Sequence, residues 1–287
     1  MAPLPPGRGT ILAMAGTLFV VGTPIGNLGD ASPRARETLA GVDLIAAEDT
    51  RRTGRLLQGF GVKAKLVSLF DGNERERTPE LLARLRQGSS IAIVSDGGMP
   101  LVSDPGYRLV AAAVGEGIDI RVVPGPSALV AALVVSGLPM ERFAFEGFLP
   151  RKAGERTRRL ETLRRDPRTV VIYESPQRVA TLLRDVLATL GDRRVAVCRE
   201  LTKLHEEVLR GRVSDVLGEL GGAAPKGEVV VVLEGDHDDV AGELTAAIPE
   251  ARALVDSGMR AREAARTVAA RRRVAANDLY RALVTDR

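Results

Sequence analysis

Short apolar runs rich in β-branched residues alternate with longer segments rich in Ala, Leu and Arg along this 287-residue chain. This alternation is typical of α/β proteins, in which helices cover the faces of a sheet. The pattern is interrupted by the Pro-Gly-Pro stretch at 124–126 and then begins again. We therefore predict two α/β domains, over residues 17–125 and 126–236, with a ligand-binding cleft between them.

The strands predicted for the first domain are Thr17–Val21, Val42–Ala46, Lys65–Leu69, Ile91–Ser95 and Asp119–Val123. Those predicted for the second are Phe143–Gly147, Thr169–Glu174, Arg194–Arg199, Glu207–Arg210 and Glu228–Glu234. Only a short helix separates the last two strands, so part of the second sheet is expected to be antiparallel. Helices that begin at Ser32 and Asp104 each place a capping side chain directly before a proline. On this pattern the ordinary role of Asp104 is that of a helix cap.

Both ends of the chain depart from the α/β pattern. Residues 1–16 are expected to form a disordered extension rather than a signal peptide, and Met14 is a candidate start. Residues 237–287 are expected to form a small helical bundle. The spacing of its apolar residues suits a helix-turn-helix-like unit that binds nucleic acid, and it suits equally a plain helical cap on the second domain. No apolar run reaches the roughly 18 residues that a membrane span needs.

Composition narrows the possible functions. Cys198 is the single cysteine and there are two histidines, so neither a disulfide framework nor a zinc site is expected, and a cytoplasmic protein is compatible with this usage. The formal net charge is +4, with arginine supplying most of the positive charge. Arginines cluster in 151–168 and again after Ala251, where they form either a solvated helix face or a surface for a polyanion such as RNA.

Common nucleotide and hydrolase motifs are missing from the chain. The phosphate-binding pattern G-x-x-x-x-G-K-[ST] does not occur, and no predicted strand is followed by G-x-G-x-x-G. The stretch around Ser127 reads GPSAL and lacks the last glycine of a nucleophile elbow. These absences indicate a cofactor that is bound without the usual glycine signatures.

Instead, four loops rich in Gly and Pro stand at strand ends. They read GTPIGNLGD at 22–30, SDGGMPLVSDPG at 95–106, PGPSA at 124–128 and KGE at 226–228. Ligands of α/β sheets lie beyond the carboxyl ends of the strands, and glycines there let the backbone approach a ligand closely. Between these loops, Glu48 and Asp49 leave a strand before a basic helix start. The pair suits proton transfer, whereas Asp49 is equally suited to capping that helix.

Taken in order, these motifs resemble those of one family. The motifs are VGTPIGNLGD, LIAAEDTRRTGRLL, SDGGMPLVSDPG, VVPGPSA, EGFLPRK, YESPQR, RELTK and KGE. From about Leu18 to Leu283 the chain resembles the ribosomal RNA small-subunit methyltransferase I family of the tetrapyrrole methylase superfamily. The resemblance implies a class III methyltransferase fold with S-adenosylmethionine (SAM) held between two α/β domains. It also implies a homodimer that methylates the ribose 2′-oxygen of a cytidine in the decoding region of 16S rRNA, within the small ribosomal subunit.

The resemblance also implies which residues form the site. For SAM binding these are Pro24, Gly26, Asn27, Asp96, Gly97, Gly98, Ser127, Ala128, Leu201 and Gly227. For RNA binding they are Arg51, Arg52, Arg151, Lys152, Arg156, Arg158 and Arg159. No metal is implied. The family usually has SDAGTP where this chain has SDGGMP, so Met99 replaces a threonine hydroxyl worth about 1 kcal/mol as a hydrogen-bond partner.

A ribose hydroxyl is a poor nucleophile until its proton leaves, so a base within reach is expected. Glu48 and Asp49 are the preferred candidates, and Asp71 and Glu74 lie on a neighbouring loop. The family often has a histidine near Asp71, which this chain lacks. Two other functions stay open: a SAM-dependent methylase of a small, tetrapyrrole-like molecule that uses the same cleft, and a nucleic-acid binder without enzymatic activity.

Overall fold

The structure is a computed structural model that describes residues 16–221, 227–236, 240–272 and 274–285. Most of the predicted N-terminal extension, residues 1–15, lies outside these ranges. Ten strands form two five-stranded sheets, and a group of helices follows them. The strands of the two sheets fall within 17–125 and 126–236, which agrees with the predicted fold class, while the domain boundaries stay predictions.

The first sheet is entirely parallel, in the order β3-β2-β4-β1-β5. Its strands are β1 (Thr17–Val21), β2 (Leu44–Ala47), β3 (Leu66–Ser68), β4 (Ile91–Val94) and β5 (Asp119–Val123). Its helices are α1 (Pro33–Gly41), α2 (Thr50–Phe60), α3 (Glu74–Arg86) and α4 (Tyr107–Gly115). The sequences of β2 and β4, LIAA and IAIV, are buried throughout, as expected for strands covered on both faces. Parallel pairing brings the carboxyl ends of all five strands to one edge.

The N-termini of α1 and α4 are capped in different ways. The Ser32 hydroxyl accepts a hydrogen bond from the Ala35 N–H at 3.1 Å, so the predicted cap of α1 is confirmed. The predicted cap at Asp104 is wrong, because α4 begins at Tyr107 after Gly106, whose φ is +121°. There the N–H groups of Gly106 and Arg108 donate to the buried Glu74 carboxylate at 3.1 and 2.7 Å. A side chain distant in sequence therefore caps α4 and leaves Asp104 for another role.

The second sheet is mixed, in the order β6-β7-β10-β8-β9. Its strands are β6 (Phe143–Phe148), β7 (Thr169–Glu174), β8 (Arg194–Arg199), β9 (Glu207–Arg212) and β10 (Val229–Leu233). Only β6 and β7 pair in parallel, so the predicted antiparallel part is confirmed. Its helices are α5 (Ala128–Ser136), α6 (Ala153–Leu163), α7 (Val179–Leu190) and α8 (Val213–Glu219). The register of β6 shifts between Phe145 and Gly147, which marks a β-bulge.

Three helices form a bundle at the end of the chain: α9 (Val240–Asp256), α10 (Ala261–Ala269) and α11 (Ala276–Thr285). They share a small apolar core that includes Ala265, Val268, Val274, Leu279 and Leu283, as the sequence predicts. Two alanines of α9, Ala247 and Ala251, complete it. Within the described ranges, no helix combines the length and the apolar character that a bilayer span requires.

Candidate active site

A cleft of about 440 Å³ lies between the carboxyl ends of the first sheet and the second sheet. Its volume falls in the range of roughly 300–1,000 Å³ that is usual for small-molecule sites. The loops after β1, β2 and β4 form one side, and β7 and the start of β10 contribute to the other. The cleft therefore lies where the sequence predicts it, between the two α/β units.

The loop after β4 is held against the loop after β1 by a short antiparallel bridge. Thr23 and Gly98 exchange backbone hydrogen bonds of 2.9 and 3.1 Å. Gly98 has φ of +96°, and a side chain there would lie 3.3 Å from a methyl carbon of Ile25, so this glycine is required by the fold of the loop itself. Gly97 is exposed in the cleft, with the nearest atom to an added Cβ at 3.4 Å. Gly97 is thus the position where the backbone is open to a ligand.

Glu48 and Asp96 connect the ends of β2 and β4. The Asp96 N–H donates to the Glu48 carboxylate at 3.2 Å, and the Asp49 N–H donates to the Asp96 carboxylate at 3.1 Å. Arg52 on α2 forms an ion pair with Asp96 at 3.2 Å. Burial raises the pKa of both Glu48 and Asp96 above the ordinary value of each. Both carboxylates line the cleft, Glu48 as a predicted base and Asp96 as a predicted SAM-binding residue.

Asp49 is turned to the helix rather than to the cleft. Its carboxylate accepts a hydrogen bond from the Arg51 N–H at 2.8 Å and pairs with the Arg51 guanidinium at 2.8 Å. These hydrogen bonds hold the pKa of Asp49 far below its usual range. A carboxylate of such low basicity is a weak proton acceptor, so of the two roles that the sequence left open for Asp49, the structure supports the cap of α2.

Asp104 lines the cleft, although the sequence around it predicts the role of a helix cap. Its carboxyl lines the cleft, and burial together with the negative charges of Glu48, Asp96 and Asp71 raises its pKa from 3.8 to about 6. The preceding backbone is unusual, because Leu101 and Ser103 have φ of +72° and +66°. Non-glycine residues with such φ values concentrate at functional sites. The Asp-Pro dipeptide concealed this role, since it reads locally as a helix start.

The remaining predicted SAM residues divide between the cleft and its supports. Ala128 and Ser127 line the cleft, and the Ser127 hydroxyl also caps α5. Gly227 lines it as well, but an added Cβ there would lie 2.0 Å from the Glu200 carboxylate, so this glycine makes room for a protein side chain. The other four predicted residues do not line the cleft. Pro24 is half-buried, and Gly26 lies beneath the Lys203 side chain. Asn27 accepts a hydrogen bond from the Gly29 N–H, and Leu201 is part of the core.

Aromatic side chains form a wall on the second sheet. Tyr173 packs edge-on against Phe148, with ring centroids 5.6 Å apart, and both line the cleft. The Tyr173 hydroxyl accepts a hydrogen bond from the Leu129 N–H at 3.2 Å, which ties this wall to the first turn of α5. Burial raises the pKa of Tyr173, so the phenol stays neutral near physiological pH.

The basic residues predicted to bind RNA lie in different environments. Arg156 is buried and bonds Asp185 at 2.6 Å, so the prediction that it binds RNA is wrong. Its guanidinium also donates to main-chain carbonyls, including that of Arg151 at 3.0 Å, and thus fixes the start of α6. The other predicted RNA contacts are exposed at the surface: Arg51, Arg52, Arg151, Lys152, Arg158 and Arg159. Arg159 is tied to Glu146 at 2.6 Å, and Lys152 pairs with Glu155 at 3.4 Å.

Comparison with known proteins identifies close relatives. Residues 17–217 match the family model described as tetrapyrrole (corrin/porphyrin) methylases. A protein of Thermotoga maritima named ribosomal RNA small subunit methyltransferase I is 50% identical over 220 residues, covering 77% of this chain and 99% of the relative. The protein of that name from Synechocystis sp. is 44% identical over 268 residues, covering 92% of this chain and 96% of the relative.

Solved structures with the same fold come from a wider group. Uroporphyrin-III C-methyltransferase from Thermus thermophilus is 25% identical, with a TM-score of 0.53, covering 79% of this chain and 98% of that one. A further structure of that enzyme, complexed with S-adenosyl homocysteine, has a TM-score of 0.54 at 19% identity, with 76% of this chain and 97% of that one covered. This second match, at its lower identity, bears on the fold alone.

Proposed function

The chain belongs to the tetrapyrrole methylase family and, within it, to the ribosomal RNA small subunit methyltransferase I family, and from this premise we propose that it methylates RNA of the small ribosomal subunit with SAM as the methyl donor. The acceptor is the ribose 2′-oxygen of a cytidine in the decoding region of 16S rRNA, and the reaction takes place in the cytoplasm on the small subunit. The observation that carries this proposal is the cleft between the sheets, with Gly97 open to it and carboxylates around it.

The residues of the cleft suit SAM. Its apolar lining, which includes Ile25, Met99 and Val230, fits the adenosine moiety, and the exposed backbone of Gly97 offers hydrogen-bonding groups. The carboxylates of Asp96 and Asp104 suit the positive charge of a sulfonium, because opposite charges attract strongly where water is scarce. When bound, SAM supplies an electrophilic methyl group. The chain itself positions the acceptor oxygen and takes up its proton.

The charge of the cleft favours a ribose over a tetrapyrrole as the acceptor. Among the described residues that line it, Arg52 is the one basic side chain, and it is paired with Asp96. A polycarboxylate substrate placed here would face Glu48, Asp104 and Glu228 without compensating cations. A ribose is neutral, and its flanking phosphates extend outward. This contrast supports RNA over the small-molecule alternative.

Exposed cations near the cleft suit those phosphates. Phe148 lines the cleft, and the chain leads from it within a few residues to the exposed side chains of Arg151 and Lys152. Arg158 is exposed one turn into α6. Contacts of this kind neutralise phosphates and release counterions, so RNA affinity falls as salt rises.

The terminal bundle is best explained as an accessory to RNA binding. Arg262 and Arg266 are exposed on α10, and Arg271 is exposed just after it. We expect that deleting residues 251–287 weakens binding to the RNA substrate much more than binding to SAM. Equal losses would instead identify the bundle as a structural cap.

A homodimer is supported by the sequence of α5. The helix reads ALVAALVVS and is apolar on all sides, yet Val130 and Val134 are 51% and 59% exposed. A helix that is apolar all round is normally buried. Val122 on the edge strand β5 is also 57% exposed. We propose that a second copy of the chain covers this surface, a state that light scattering at several concentrations measures directly.

Methyl transfer to defined acceptors tests the function. Purified protein with tritiated SAM is expected to label small subunits that lack this methyl group, and mass mapping is expected to place the label on a cytidine ribose. Naked 16S rRNA and uroporphyrinogen serve as the alternative acceptors. Label on uroporphyrinogen alone would support the small-molecule methylase, and the absence of label on every acceptor would support a binding protein without activity.

Calorimetry with SAM tests the cleft as its binding site. Asp96→Ala is expected to weaken SAM binding by about tenfold, since it removes a carboxylate that lines the cleft and holds the Asp49 N–H. Asp119→Asn is the matched control, because Asp119 lies on β5 and pairs at the surface with Arg121 at 2.7 Å. An unchanged affinity in Asp96→Ala would show that SAM binds elsewhere.

A further inference from the structure

The segment that follows Gly98 crosses from the first sheet towards the second. An added Cβ on Gly147, at the bulge of β6, would lie 2.8 Å from the Ser103 hydroxyl oxygen, so the two residues are in close contact. Leu101 and Ser103 both hold left-handed backbone conformations that cost about 1–3 kcal/mol each in an unrestrained chain. The far end of the segment is fixed by the Glu74 carboxylate at the N–H groups of Gly106 and Arg108. These restraints hold Asp104 in the lining of the cleft.

The other carboxylates of this edge are committed to the protein's own donors. Glu48 accepts the Asp96 N–H, Asp96 accepts the Asp49 N–H and pairs with Arg52, and Asp49 binds Arg51. Glu174, from the second sheet, pairs with Arg178 at 3.1 Å. A proton on any of these carboxylates would therefore compete with a contact that it already makes.

Most of the groups around Asp104 disfavour its negative charge. Burial raises the pKa of Asp104 to about 6, and the negative charges of Glu48, Asp96 and Asp71 act in the same direction, while the Ser95 side chain acts in the opposite direction. Tyr173 faces it from β7 as a neutral phenol. The nearby cation Arg52 is already paired with Asp96. A carboxylate in these surroundings is a stronger base than an exposed aspartate and is still ionised at neutral pH.

We propose that Asp104 is the general base that takes the proton from the acceptor hydroxyl in the cleft. This inference rests on the proposed function, which supplies the ribose 2′-hydroxyl and the methyl donor. The oxygen–carbon bond forms as the carbon–sulfur bond breaks, the electron pair of the broken bond goes to sulfur, and the hydroxyl proton goes to Asp104. The positive charge on sulfur and the negative charge on Asp104 disappear together, so no net charge develops in a cleft of low dielectric. The carboxylic acid then releases its proton to water.

In this arrangement Glu48 is a positioning residue. Its carboxylate holds the Asp96 N–H at 3.2 Å and thereby orients the loop that carries both Asp96 and Asp104. A glutamine in its place keeps a carbonyl oxygen that accepts the same hydrogen bond. Substitutions at Glu48 and Asp104 are therefore expected to have different kinetic consequences.

Single-turnover rates with small subunits and saturating SAM, measured from pH 5 to 9, separate the two roles. Wild type is expected to lose rate below an apparent pKa near 6. Asp104→Asn is expected to lower the rate about 10²–10⁴-fold and to abolish this loss of rate at low pH, the acid limb of the profile. Asp104→Glu is expected to recover part of the rate and part of the acid limb. Glu48→Gln is expected to keep the acid limb, and Asp119→Asn on the distant β5 edge to leave rate and profile unchanged.

A measurement that does not depend on activity follows the Asp104 carboxyl itself. In protein labelled with ¹³C at the aspartate carboxyl, one resonance is expected to titrate near pH 6 and to be missing from the spectrum of Asp104→Asn. A resonance for Asp104 that titrates below pH 4.5 would overturn the inference. So would an Asp104→Asn enzyme that keeps the wild-type rate and acid limb.

Failure of the proposed function is distinguishable from failure of the inference. If wild-type protein labels no RNA acceptor at any pH, the proposed function is wrong and the assignment of Asp104 falls with it. If wild type labels small subunits and the acid limb disappears in Glu48→Gln but persists in Asp104→Asn, the function stands and Glu48 is the base.

Discussion

The two sheets meet at one cleft, but they contribute different groups to it. The first sheet supplies carboxylates, with Glu48, Asp96 and Asp104 on loops that follow its strands. The second supplies mostly walls, such as the ring of Tyr173 and the backbone of β10 at Val230. In a parallel sheet all carboxyl ends lie at one edge, so several loops converge on a ligand. In a mixed sheet these ends alternate between edges, so fewer loops reach the cleft and strand surfaces take their place.

This contrast predicts two kinds of response to mutation. Changes that displace a first-sheet carboxylate should affect the chemical step, and changes on the second sheet should affect stability and binding before they affect catalysis. Substitutions in each sheet therefore separate these two kinds of response.

Glu74→Ala is expected to have the largest effect on stability. The substitution leaves the N–H groups of Gly106 and Arg108 without the buried acceptor that starts α4, and it frees the segment that carries Asp104. We expect a loss of about 2–4 kcal/mol in the free energy of unfolding, measured by urea titration, and a fall in kcat of about 100-fold.

Glu74→Gln is the matched control for this substitution. Its amide oxygen accepts the same hydrogen bonds, so the loss of stability should be about 1 kcal/mol and kcat should stay within about tenfold of wild type. If Glu74→Ala destabilises the protein without a loss of kcat at temperatures where it is folded, the first-sheet loops do not need this support for catalysis.

Gly227→Ala probes the second sheet through the backbone. Gly227 has φ of +90°, and its Cβ would lie 2.0 Å from the Glu200 carboxylate, which Lys203 holds at 2.8 Å. We expect a loss of about 2–3 kcal/mol in unfolding free energy and weaker SAM binding in calorimetry. In a Glu200→Ala background the clash is gone, and about 1 kcal/mol of backbone strain should remain.

Gly218→Ala is expected to raise the stability, in contrast to Gly227→Ala. Gly218 lies inside α8 with no atom within 4 Å of an added Cβ, so alanine should stabilise the protein by about 0.5–1 kcal/mol. Loss of stability at Gly218 as large as that at Gly227 would mean that the space around the added methyl group does not determine the outcome at these glycines.

Asp104→Asn tests how the charge of a first-sheet carboxylate affects the stability of the folded protein. Because burial raises the pKa of Asp104 to about 6, its ionised form destabilises the folded protein, and the penalty is present above pH 6 and absent below 3.8. After allowance for partial solvent screening, the asparagine variant should be more stable by about 1–2 kcal/mol at pH 8, a gain that fades as the pH falls towards 4.

The variant Asp49→Asn should change the stability in the opposite direction to Asp104→Asn. Its pairing with Arg51 lowers the pKa of Asp49, so this carboxylate stabilises the folded protein above its ordinary pKa of 3.8, and that contribution is lost as the pH falls below it. Asparagine at position 49 should therefore destabilise the protein at pH 8 and have little effect in acid. Thermal unfolding of Asp104→Asn and Asp49→Asn across pH checks both expectations. If both substitutions changed the stability in the same direction at pH 8, the assignment of Asp49 as a helix cap and Asp104 as a base would be contradicted.

Much of the fold could be predicted from the sequence, because the relevant signals are local. Alternating apolar runs predict both sheets, and Ser32 before a proline predicts the start of α1. The interactions that decide which predicted residues belong to the site join residues that are distant in sequence. Arg156 belongs to an arginine-rich segment, yet its partner Asp185 is 29 residues away and buries it.

Asp104 illustrates the same limit for the site. The Asp-Pro dipeptide predicts a helix cap from nearest neighbours alone. Its actual role depends on Glu74, which provides that cap from the preceding helix, and on the backbone at Leu101 and Ser103. A pattern in the sequence can thus indicate which loops form a cleft, whereas the role of each carboxylate in it depends on partners that only the fold brings together.

Tyr173→Phe is expected to have the smallest effect and tests the second sheet most directly. The hydroxyl accepts one hydrogen bond from the Leu129 N–H at 3.2 Å, and its loss should cost about 1 kcal/mol of stability, because one N–H in the first turn of α5 loses its partner. The ring remains and still packs against Phe148, so the wall of the cleft should persist. Single-turnover rates should then stay within about threefold of wild type. A loss of tenfold or more, with SAM affinity unchanged, would mean that the second sheet also takes part in proton transfer, and the contrast between a chemical sheet and a supporting sheet would not hold.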